Sequence, residues 1–365
     1  MPAHQSAAVD RGERRGSALA LPSRVTSVLI VDDEPAVRDL MARWVTALGL
    51  QPKTAADAHE ALDKLREQHY DLAVIDVMIP GRDGLWLAGE LRRDHPNTAV
   101  ILATGCTELV EDAKRAAPGD EEPIADFLVK PFQRERFALA VDRGRQWRKS
   151  AVEELQWHAL LWNELYDRLD HIVAALAAAR RRGFGDDAAL AGIMAERVPD
   201  VAAHGRRVAD RSVTIARELR LDAQAVARVE AAALFHDAGK AAMPDALLTK
   251  PSPLTAGERS IMDRHAEVGG AILAATRTLD DVAPVVGATH EWFGGGGYPA
   301  NLSGAAIPFG ARIIAVADAC DAMTTDRAYR QAFDLVDAVA EILRCCPAQF
   351  DPDVVAAFVS VLGRE

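Results

Sequence analysis

The sequence predicts a multidomain protein, in which an α/β domain with a doubly wound parallel sheet is followed by a helical connector and an all-α domain. Strand-like and helix-like segments alternate up to about residue 145. Residues 146–182 have the apolar spacing of a long amphipathic helix, and most of the remaining chain is also typical of helix. At roughly 150 residues per domain, the 365 residues allow two or three domains.

Apolar segments of the first part are typical of strands: VTSVLIV from Val25, DLAVID at 71–76, AVILAT at 99–104 and ADFLVK at 125–130. Helical periodicity lies between them, at 37–48, 58–66 and 85–93. This alternation with short connections predicts an open parallel sheet covered by helices on both faces. Residues at the carboxyl ends of the strands are then the candidates for function.

The segment 146–182 is predicted to be a helix with coiled-coil character. Its apolar residues recur at alternating steps of three and four, at Val152, Leu155, Ala159, Trp162, Tyr166, Leu169 and Ile172. A connector that forms a homodimer or relays a signal has this spacing, and so does a helix that packs on its own domain. Residues 183–365 are predicted to be mostly helical, with one glycine-rich loop at 294–299.

The composition of the chain limits which functions and which cellular compartment we expect for the protein. The chain has 42 Lys and Arg against 54 Asp and Glu, a net charge of −12, which disfavours binding to DNA or to an anionic membrane. Its four cysteines lack metal-type spacing, and no apolar run reaches the ~18 residues of a membrane span, so we expect a cytoplasmic protein with reduced thiols. Residues 1–24 lack a solid apolar stretch and are predicted to be a disordered tail.

Polar side chains stand where the predicted strands end. Asp32 and Asp33 follow VLIV, Asp76 follows LAVI, and Thr104 and Lys130 end the next two strands. Like charges gathered there need a cation, and hard oxygen ligands favour Mg²⁺. The hydroxyl and the ammonium would complete a site for a phosphoryl group carried on a carboxylate. Each acid alone could merely cap a turn, but the set at successive strand ends favours a shared site.

A second set of metal-type side chains lies in the helical part. His204, His265 and His290 stand in motif-like text, HDAGK occupies 236–240, and Asp318 lies inside the apolar IIAVADACDAM. Each histidine alone would more often be an ordinary surface or core residue. Together, ionisable groups in apolar helices need a compensating partner, and imidazoles mixed with carboxylates suit Fe, Mn, Zn or Ni.

Spacing adds candidates around this centre. Asp200 and Lys240 each stand four residues from a histidine of the set, which places them on the same helix face. Arg327 and Arg330 are three residues apart, so two guanidinium groups lie on one side and could bind phosphate.

The first part resembles a response-regulator receiver domain over about residues 25–142. The matching text is IVDDE, VIDVMIPGRDG, ATG and VKPF. The resemblance implies a domain at 25–145 with a five-stranded parallel sheet, Mg²⁺ as cofactor and a partner histidine kinase. The residues that would carry this chemistry are the phosphoacceptor Asp76, the Mg²⁺-organising Asp32 and Asp33, the phosphate-binding Thr104 and Lys130, and the aromatic switch residue Phe127.

The second part resembles the HD-GYP family over about residues 183–365. The matching segments are PDVAAHGRRV, LFHDAGKAAMPDALLTKPSPLT, MDRH, HEWFGGGGYP, NLSGAAIP and ARIIAVADACDAMTTDRAYR. Because this family hydrolyses the second messenger cyclic di-GMP, the resemblance implies a phosphodiesterase that yields pGpG or GMP with between one and three Fe or Mn ions.

The resemblance also assigns roles to the histidines, aspartates and basic residues of this part. The implied metal ligands are His204, His236, Asp237, His265, His290 and Asp318, with Asp200 at the position that holds a third ion. The implied catalytic residues are His236, Asp237 and Lys240, and the implied substrate-binding residues are Lys240, Tyr298, Arg327 and Arg330.

The signature loop departs from the family pattern, which usually has two consecutive histidines and an Asp before GxGYP. Anchoring on Tyr298 puts Thr289 at the first histidine and Gly294 at the Asp. We expect a weakened metal position, since loss of a supporting ligand costs roughly 10- to 100-fold in affinity or activity, and a flexible loop. Three functions stay open. The first is a phosphodiesterase controlled by phosphorylation of Asp76, and the second is a degenerate output domain that binds cyclic di-GMP or a protein without turnover. The third is hydrolysis of a different phosphorylated substrate by the surviving metal ligands.

Overall fold

The computed structural model describes residues 26–105, 124–326 and 331–364. It divides the chain into two compact units, with a boundary between Ala159 and Leu160 that falls within the predicted connector. The predicted tail at 1–24 lies outside the described residues, as do Arg327 and Arg330.

The first unit contains a five-stranded parallel sheet in the order β2-β1-β3-β4-β5, which confirms the predicted α/β fold. The strands are β1 Ser27–Val31, β2 Gln51–Ala55, β3 Leu72–Asp76, β4 Ala99–Thr104 and β5 Ile124–Val129. The described helices between them are α1 Pro35–Ala47, α2 Ala58–Glu67 and α3 Gly84–Asp94.

Helices cover both faces of this sheet. Ala61 and Leu65 of α2 and Leu87 of α3 are buried on one face, and Met41 and Val45 of α1 are buried on the other. Strands β1, β3 and β4 are consequently buried along their whole length, which explains their continuous apolar text. The carboxyl ends of the strands form the edge at which polar residues collect.

Strand β2 does not appear as an apolar segment in the sequence. Its text, QPKTA, is mostly polar, and only Ala55 is buried. The strand lies at the edge of the sheet and pairs only with β1, where Ser27 stands opposite Gln51. An edge strand with a solvated face needs few apolar residues, so only the family resemblance implied a fifth strand.

One helix, α4, runs without interruption from Arg134 to Arg181 and so extends through the boundary between the units. In the first unit, Phe137 and Val141 of this helix are buried against the sheet. Arg148 of α4 also forms an ion pair with Asp71 at 2.6 Å. The helix therefore begins as part of the α/β unit, and the connector bounds 146–182 stay a prediction.

In the second unit, α4 contributes to the hydrophobic core. Its buried residues there are Leu161, Leu165, Ile172 and Leu176, and Trp162, Tyr166 and Leu169 pack against them. A helix that packs on its own domain therefore accounts for this half of the three-and-four apolar pattern. Leu155 and Leu160 are exposed, and a homodimer through α4 stays a prediction.

The described residues of the second unit contain helices and no strand, as predicted. The α-helices are α5 Asp186–Arg197, α6 Pro199–Glu218, α7 Ala223–Leu234, α8 Asp245–Leu248, α9 Ala256–Asp263, α10 His265–Ala274, α11 Ala283–Val286, α12 Phe309–Thr324, α13 Leu335–Cys345 and α14 Pro352–Leu362. Short 3-10 helices lie at Ala238–Ala242, Asp280–Val282 and Gly304–Ala306. Within the described parts of the chain, no helix is both long enough and apolar enough to span a membrane.

The neighbouring leucines of α4 test whether this helix belongs to the core of the second unit. Leu165 is 0% exposed and Leu160 is 62% exposed. We expect Leu165→Ala to lower the free energy of unfolding by about 2–5 kcal/mol, because it leaves a cavity in a packed core. Leu160→Ala, the matched control, should change it by about 0.5 kcal/mol or less. Urea unfolding followed by circular dichroism measures both, and equal losses would contradict the packing described for α4.

Candidate metal centres

The carboxyl edge of the sheet brings together the three acids that were predicted to share a cation. One carboxylate oxygen each from Asp32, Asp33 and Asp76 lies within 4.8 Å of the others. Lys130 Nζ lies 2.7 Å from Asp32 Oδ2 and 2.8 Å from Asp76 Oδ2. Burial lowers the pKa of Lys130, but its bonds to the two carboxylates outweigh burial and raise it. Three carboxylates against one ammonium leave negative charge that suits Mg²⁺.

Three further residues lie in the elements that meet at this edge. Thr104 is buried at the end of β4, and its carbonyl accepts a hydrogen bond from Lys130 N at 2.8 Å. Phe127 is half-buried and packs against the core of the first unit. Gly84 starts α3 against the main chain of Asp76, where a Cβ would lie 2.1 Å from the Asp76 carbonyl oxygen. The tight contact explains why glycine stands at this position of the GRDG text.

The second unit brings its metal-type side chains into two groups that share Asp237. His204, His236 and Asp237 form one group, and Asp237, His265 and His290 form the other; the ligand atoms of each lie within 4.8 Å of one another. His265 Nε2 lies 2.8 Å from His290 Nε2 and 3.3 Å from Asp237 Oδ1. A carboxylate common to two groups of imidazoles could contribute to the binding of two neighbouring ions.

Asp318 joins the first group from α12. Its Oδ1 lies 3.0 Å from His204 Nε2 and 3.9 Å from His236 Nε2. The ligands thus come from α6, from the turn after α7, from α10, from the loop after α11 that carries His290, and from α12. Gly239 allows that turn to approach α10, since a Cβ there would lie 1.9 Å from the His265 carbonyl oxygen.

The hydrogen bonds of the imidazoles indicate that divalent ions fit this centre. His236 Nδ1 lies 2.8 Å from the Ala233 carbonyl oxygen, and His265 Nδ1 lies 2.8 Å from that of Met262. Each ring therefore donates through Nδ1 and leaves Nε2 as a lone-pair ligand. Among the described residues, His236 Nε2 and Asp237 Oδ1 are buried without a hydrogen-bond partner, which is the condition a bound cation would relieve.

The pKa shifts reflect how strongly these groups interact. Burial alone would raise the pKa of Asp237, but the Lys240 ammonium and the neighbouring His236 hold it well below its ordinary range. Burial and the neighbouring His265 lower the pKa of His290 to about 4, so this imidazole is neutral near pH 7 and able to bind metal. Burial opposes protonation of His204, yet its bonds to Asp318 and Asp321 raise its pKa to about 9.

Lys240 and Tyr298, predicted to bind substrate, border the same centre. Lys240 Nζ lies 2.6 Å from Asp237 Oδ2. The Tyr298 ring stacks on His290 with centroids 5.0 Å apart, and its edge faces His265. Burial raises the pKa of Tyr298, so its hydroxyl remains a proton donor.

Other sequence-predicted residues are not part of these groups. Asp200 is exposed one turn before His204, and neither group includes it; its role with a third ion stays a prediction. Thr289 is buried, and its hydroxyl donates to the Val286 carbonyl at 3.0 Å. Arg327 and Arg330 lie outside the described residues.

Sequence reasoning missed Asp321, which contacts a predicted ligand. Its Oδ2 lies 2.7 Å from His204 Nδ1, and Arg207 donates to both of its carboxylate oxygens at 2.8 and 2.9 Å. Asp321 is 3% exposed. Its spacing of three from Asp318 on a helix was the available signal, because residues three apart share a face.

Main-chain hydrogen bonds hold the start of the glycine-rich loop, and the expected flexibility stays a prediction. Phe293 N donates to the Gln349 carbonyl at 3.0 Å, and Gly294 N donates to the Ala348 carbonyl at 2.8 Å. The Glu291 carboxylate accepts bonds from two further main-chain N–H groups of the loop. Gly297 lies so close to the main chain of 290–292 that a Cβ would be 2.3 Å from Trp292 N. The glycines therefore permit tight packing.

A cluster of carboxylates at the carboxyl edge of a doubly wound sheet, followed by a helical unit with His/Asp groups that could hold metal, is typical of a response regulator with a metal-dependent output domain. Residues 28–142 match the family described as response regulator receiver domain, and residues 188–354 match the HD domain family.

Two known proteins are similar to this chain over most of its length, and a third is similar over less than half of it. It is 31% identical over 347 residues to the cyclic di-GMP phosphodiesterase response regulator RpfG of Xanthomonas campestris pv. campestris, which covers 91% of this chain and 87% of the relative. It is 28% identical over 354 residues to a cyclic di-GMP phosphodiesterase of Thermotoga maritima, covering 92% and 90%. The 3'3'-cGAMP-specific phosphodiesterase 2 of Vibrio cholerae is 36% identical over 168 residues, covering 46% and 32%.

The chain belongs to the response regulators of the RpfG type, in which an N-terminal receiver domain is followed by a C-terminal HD domain. The predicted family of each part is thereby confirmed.

A substitution at Gly294 tests whether the loop tolerates a side chain at this position. A Cβ on Gly294 would lie 2.9 Å from the Ala348 carbonyl oxygen, so Gly294→Ala should displace this main chain and lower the melting temperature. Gly192→Ala is the matched control: it lies within α5, where a Cβ meets nothing within 4 Å, and it should stabilise by about 0.5–1 kcal/mol. Differential scanning calorimetry measures both, and a stabilised Gly294→Ala would contradict the docked loop.

Proposed function

We propose that the protein is a two-component response regulator that hydrolyses cyclic di-GMP to pGpG or GMP at the metal centre of its HD domain, under control of phosphorylation at Asp76. The observation that carries this proposal is the sharing of the buried Asp237 between two groups of imidazoles. Such a centre could catalyse hydrolysis of a phosphodiester, because two adjacent cations can stabilise both the attacking and the leaving oxygen. The names of the full-length relatives support the substrate.

Six residues of the chain would bind the metal ions. His204, His236 and Asp318 would hold one Fe or Mn ion, His265 and His290 would hold another, and Asp237 would join the two. Bound ions supply a water of lowered pKa and stabilise negative charge on phosphate oxygens.

Lys240 and Tyr298 would act on the substrate beside these ligands. Lys240 Nζ, now paired with Asp237 Oδ2, would shift toward a phosphate oxygen when a cation neutralises the carboxylate. Tyr298, stacked on His290, would limit water access and donate its hydroxyl hydrogen to the substrate.

Thr289 supports a second candidate function, that of a sensor without turnover. Its hydroxyl bonds to the Val286 carbonyl, so the group with His265 and His290 lacks a further side-chain ligand from this position. A weakly filled second position would lower turnover while leaving a charged pocket able to bind a cyclic dinucleotide.

The receiver domain would supply control. Asp76 would accept a phosphoryl group from a histidine kinase, with Mg²⁺ on Asp32 and Asp33 and with Thr104 and Lys130 on the phosphate oxygens. These assignments rest on the convergence of the acids and on the receiver family match.

Helix α4 is the element through which we expect control to reach the metal centre. Within the second unit, Arg168 of α4 donates to both carboxylate oxygens of Asp245 at 3.0 and 2.9 Å and to the Met243 carbonyl at 3.2 Å. Arg264 directly precedes the ligand His265 and lies over the Trp162 ring of α4, with its guanidinium carbon 5.5 Å from the ring centroid. Two segments that carry site residues are therefore attached to the same helix.

The first test is turnover of cyclic di-GMP by protein loaded anaerobically with Mn²⁺ or Fe²⁺, with products separated by chromatography. We expect metal-dependent formation of pGpG or GMP, and a loss of about 100-fold or more in Asp237→Ala, since both ions lose a ligand. Thr289→His should lower the Mn²⁺ concentration for half-maximal activity by about 10-fold.

The outcomes separate the two candidate functions. If the wild-type protein retains cyclic di-GMP without cleaving it and Thr289→His gains turnover, the sensor function is correct. Running 3'3'-cGAMP in parallel tests the substrate, because faster cleavage of that dinucleotide would contradict cyclic di-GMP as the preferred one.

The second test concerns control through α4. We expect a small-molecule phosphodonor to change the hydrolysis rate of the wild-type protein and to leave Asp76→Asn unaffected. Arg168→Ala should still be phosphorylated but should lose most of the rate change, because α4 is then detached from Asp245 and Met243. The exposed Arg181 of the same helix provides the control Arg181→Ala, and a wild-type response in Arg168→Ala would rule out this attachment as the route.

A further inference from the structure

Helices α6 and α12 meet through interlocked side chains beside the metal centre. α6 carries His204 and Arg207, and α12 carries Asp318 and Asp321, so each helix offers two residues three positions apart. Asp318 lies on the Nε2 side of the His204 ring, and Asp321 lies on the Nδ1 side. The ring is thus held between a proposed metal ligand and a second carboxylate that does not belong to either metal group.

His204 differs from His236 and His265 in what fixes its ring. Those two rings donate through Nδ1 to carbonyl oxygens three residues earlier in the chain, at Ala233 and Met262. Their orientation is therefore a property of the local main chain. The orientation of His204 depends instead on a carboxylate from another helix.

A carboxylate at this position has two effects on a histidine ligand. It fixes the tautomer in which Nδ1 carries the hydrogen and Nε2 is free, and it increases electron density on the ring so that Nε2 binds a cation more strongly. The two bonds from Arg207 keep the Asp321 carboxylate in a fixed plane. Because Asp321 is 3% exposed, water competes little for its oxygens.

We propose that Asp321, held by Arg207, is a positioning residue that directs His204 Nε2 toward the ion and sets the metal affinity of the group that contains His204. The proposal rests on the metal centre of the proposed function and adds that its two ions are bound with different affinities. The ion beside His204 binds more tightly than the ion beside His265 and His290.

The test is a calorimetric titration of the metal-free, full-length protein with Mn²⁺, at a Mg²⁺ concentration that saturates the receiver domain. We expect Asp321→Asn to weaken the tighter Mn²⁺ site by about 10- to 100-fold and to leave the weaker site unchanged. Arg207→Gln should cause a smaller loss in the same direction, and because the Arg207 side chain is 47% exposed, this variant remains informative if Asp321→Asn does not fold.

Asp351→Asn is the matched control. Asp351 is a buried aspartate bound to Arg312 at 2.8 Å in the same unit, and no described histidine contacts it. Its loss should lower the melting temperature of the metal-free protein without changing either Mn²⁺ affinity. A merely structural role for Asp321 would give the same pattern as this control.

Two results would overturn the proposal: wild-type Mn²⁺ affinity in both Asp321→Asn and Arg207→Gln, or an equal weakening in Asp351→Asn. Turnover of cyclic di-GMP by the same samples separates this proposal from the proposed function. Affinity that depends on Asp321 without turnover contradicts only the enzymatic function, whereas turnover with affinity independent of Asp321 contradicts only the positioning role.

Discussion

Compensation of one buried carboxylate, Asp237, is the constraint on which the second unit depends. Asp237 is 2% exposed, and a charge in that position is costly unless opposite charges and hydrogen-bond donors surround it. Lys240 provides an ammonium group at 2.6 Å, and a cation held with His236 and His265 would provide further positive charge. Satisfying Asp237 requires elements from distant parts of the chain to converge, and the close approach at Gly239 is one result of that convergence.

The first unit also contains buried carboxylates that need compensating positive charge, but its ligand set differs. Asp32 and Asp76 are buried at the carboxyl edge of the sheet, and Lys130 bonds to both. Oxygen ligands alone favour a hard ion such as Mg²⁺, whereas the imidazoles of the second unit favour a transition metal. The two sets of ligands therefore favour different kinds of cation.

Helix α4 illustrates how a repeating apolar pattern can have more than one cause. Its sequence has the spacing of a coiled coil, yet Leu161 and Leu165 are buried in the second unit and Phe137 is buried in the first. Apolar residues at alternating steps of three and four indicate that one face of a helix is covered, but they do not identify what covers it. The same limit applies to the glycine-rich loop, where Gly294 and Gly297 look permissive in sequence but accompany tight main-chain contacts.

The sequence by itself determined the features that have a local signal. Buried strands appear as apolar runs, and the residues Asp76, Lys130, His236 and Asp237 stand in motifs whose spacing follows from the elements that carry them. Tertiary structure alone decided the pairing of the polar edge strand β2, the sharing of Asp237 between two groups, and the contact of Asp321 with His204. Each of these depends on a partner far away in the chain, and a short window of sequence contains only one side of such a contact.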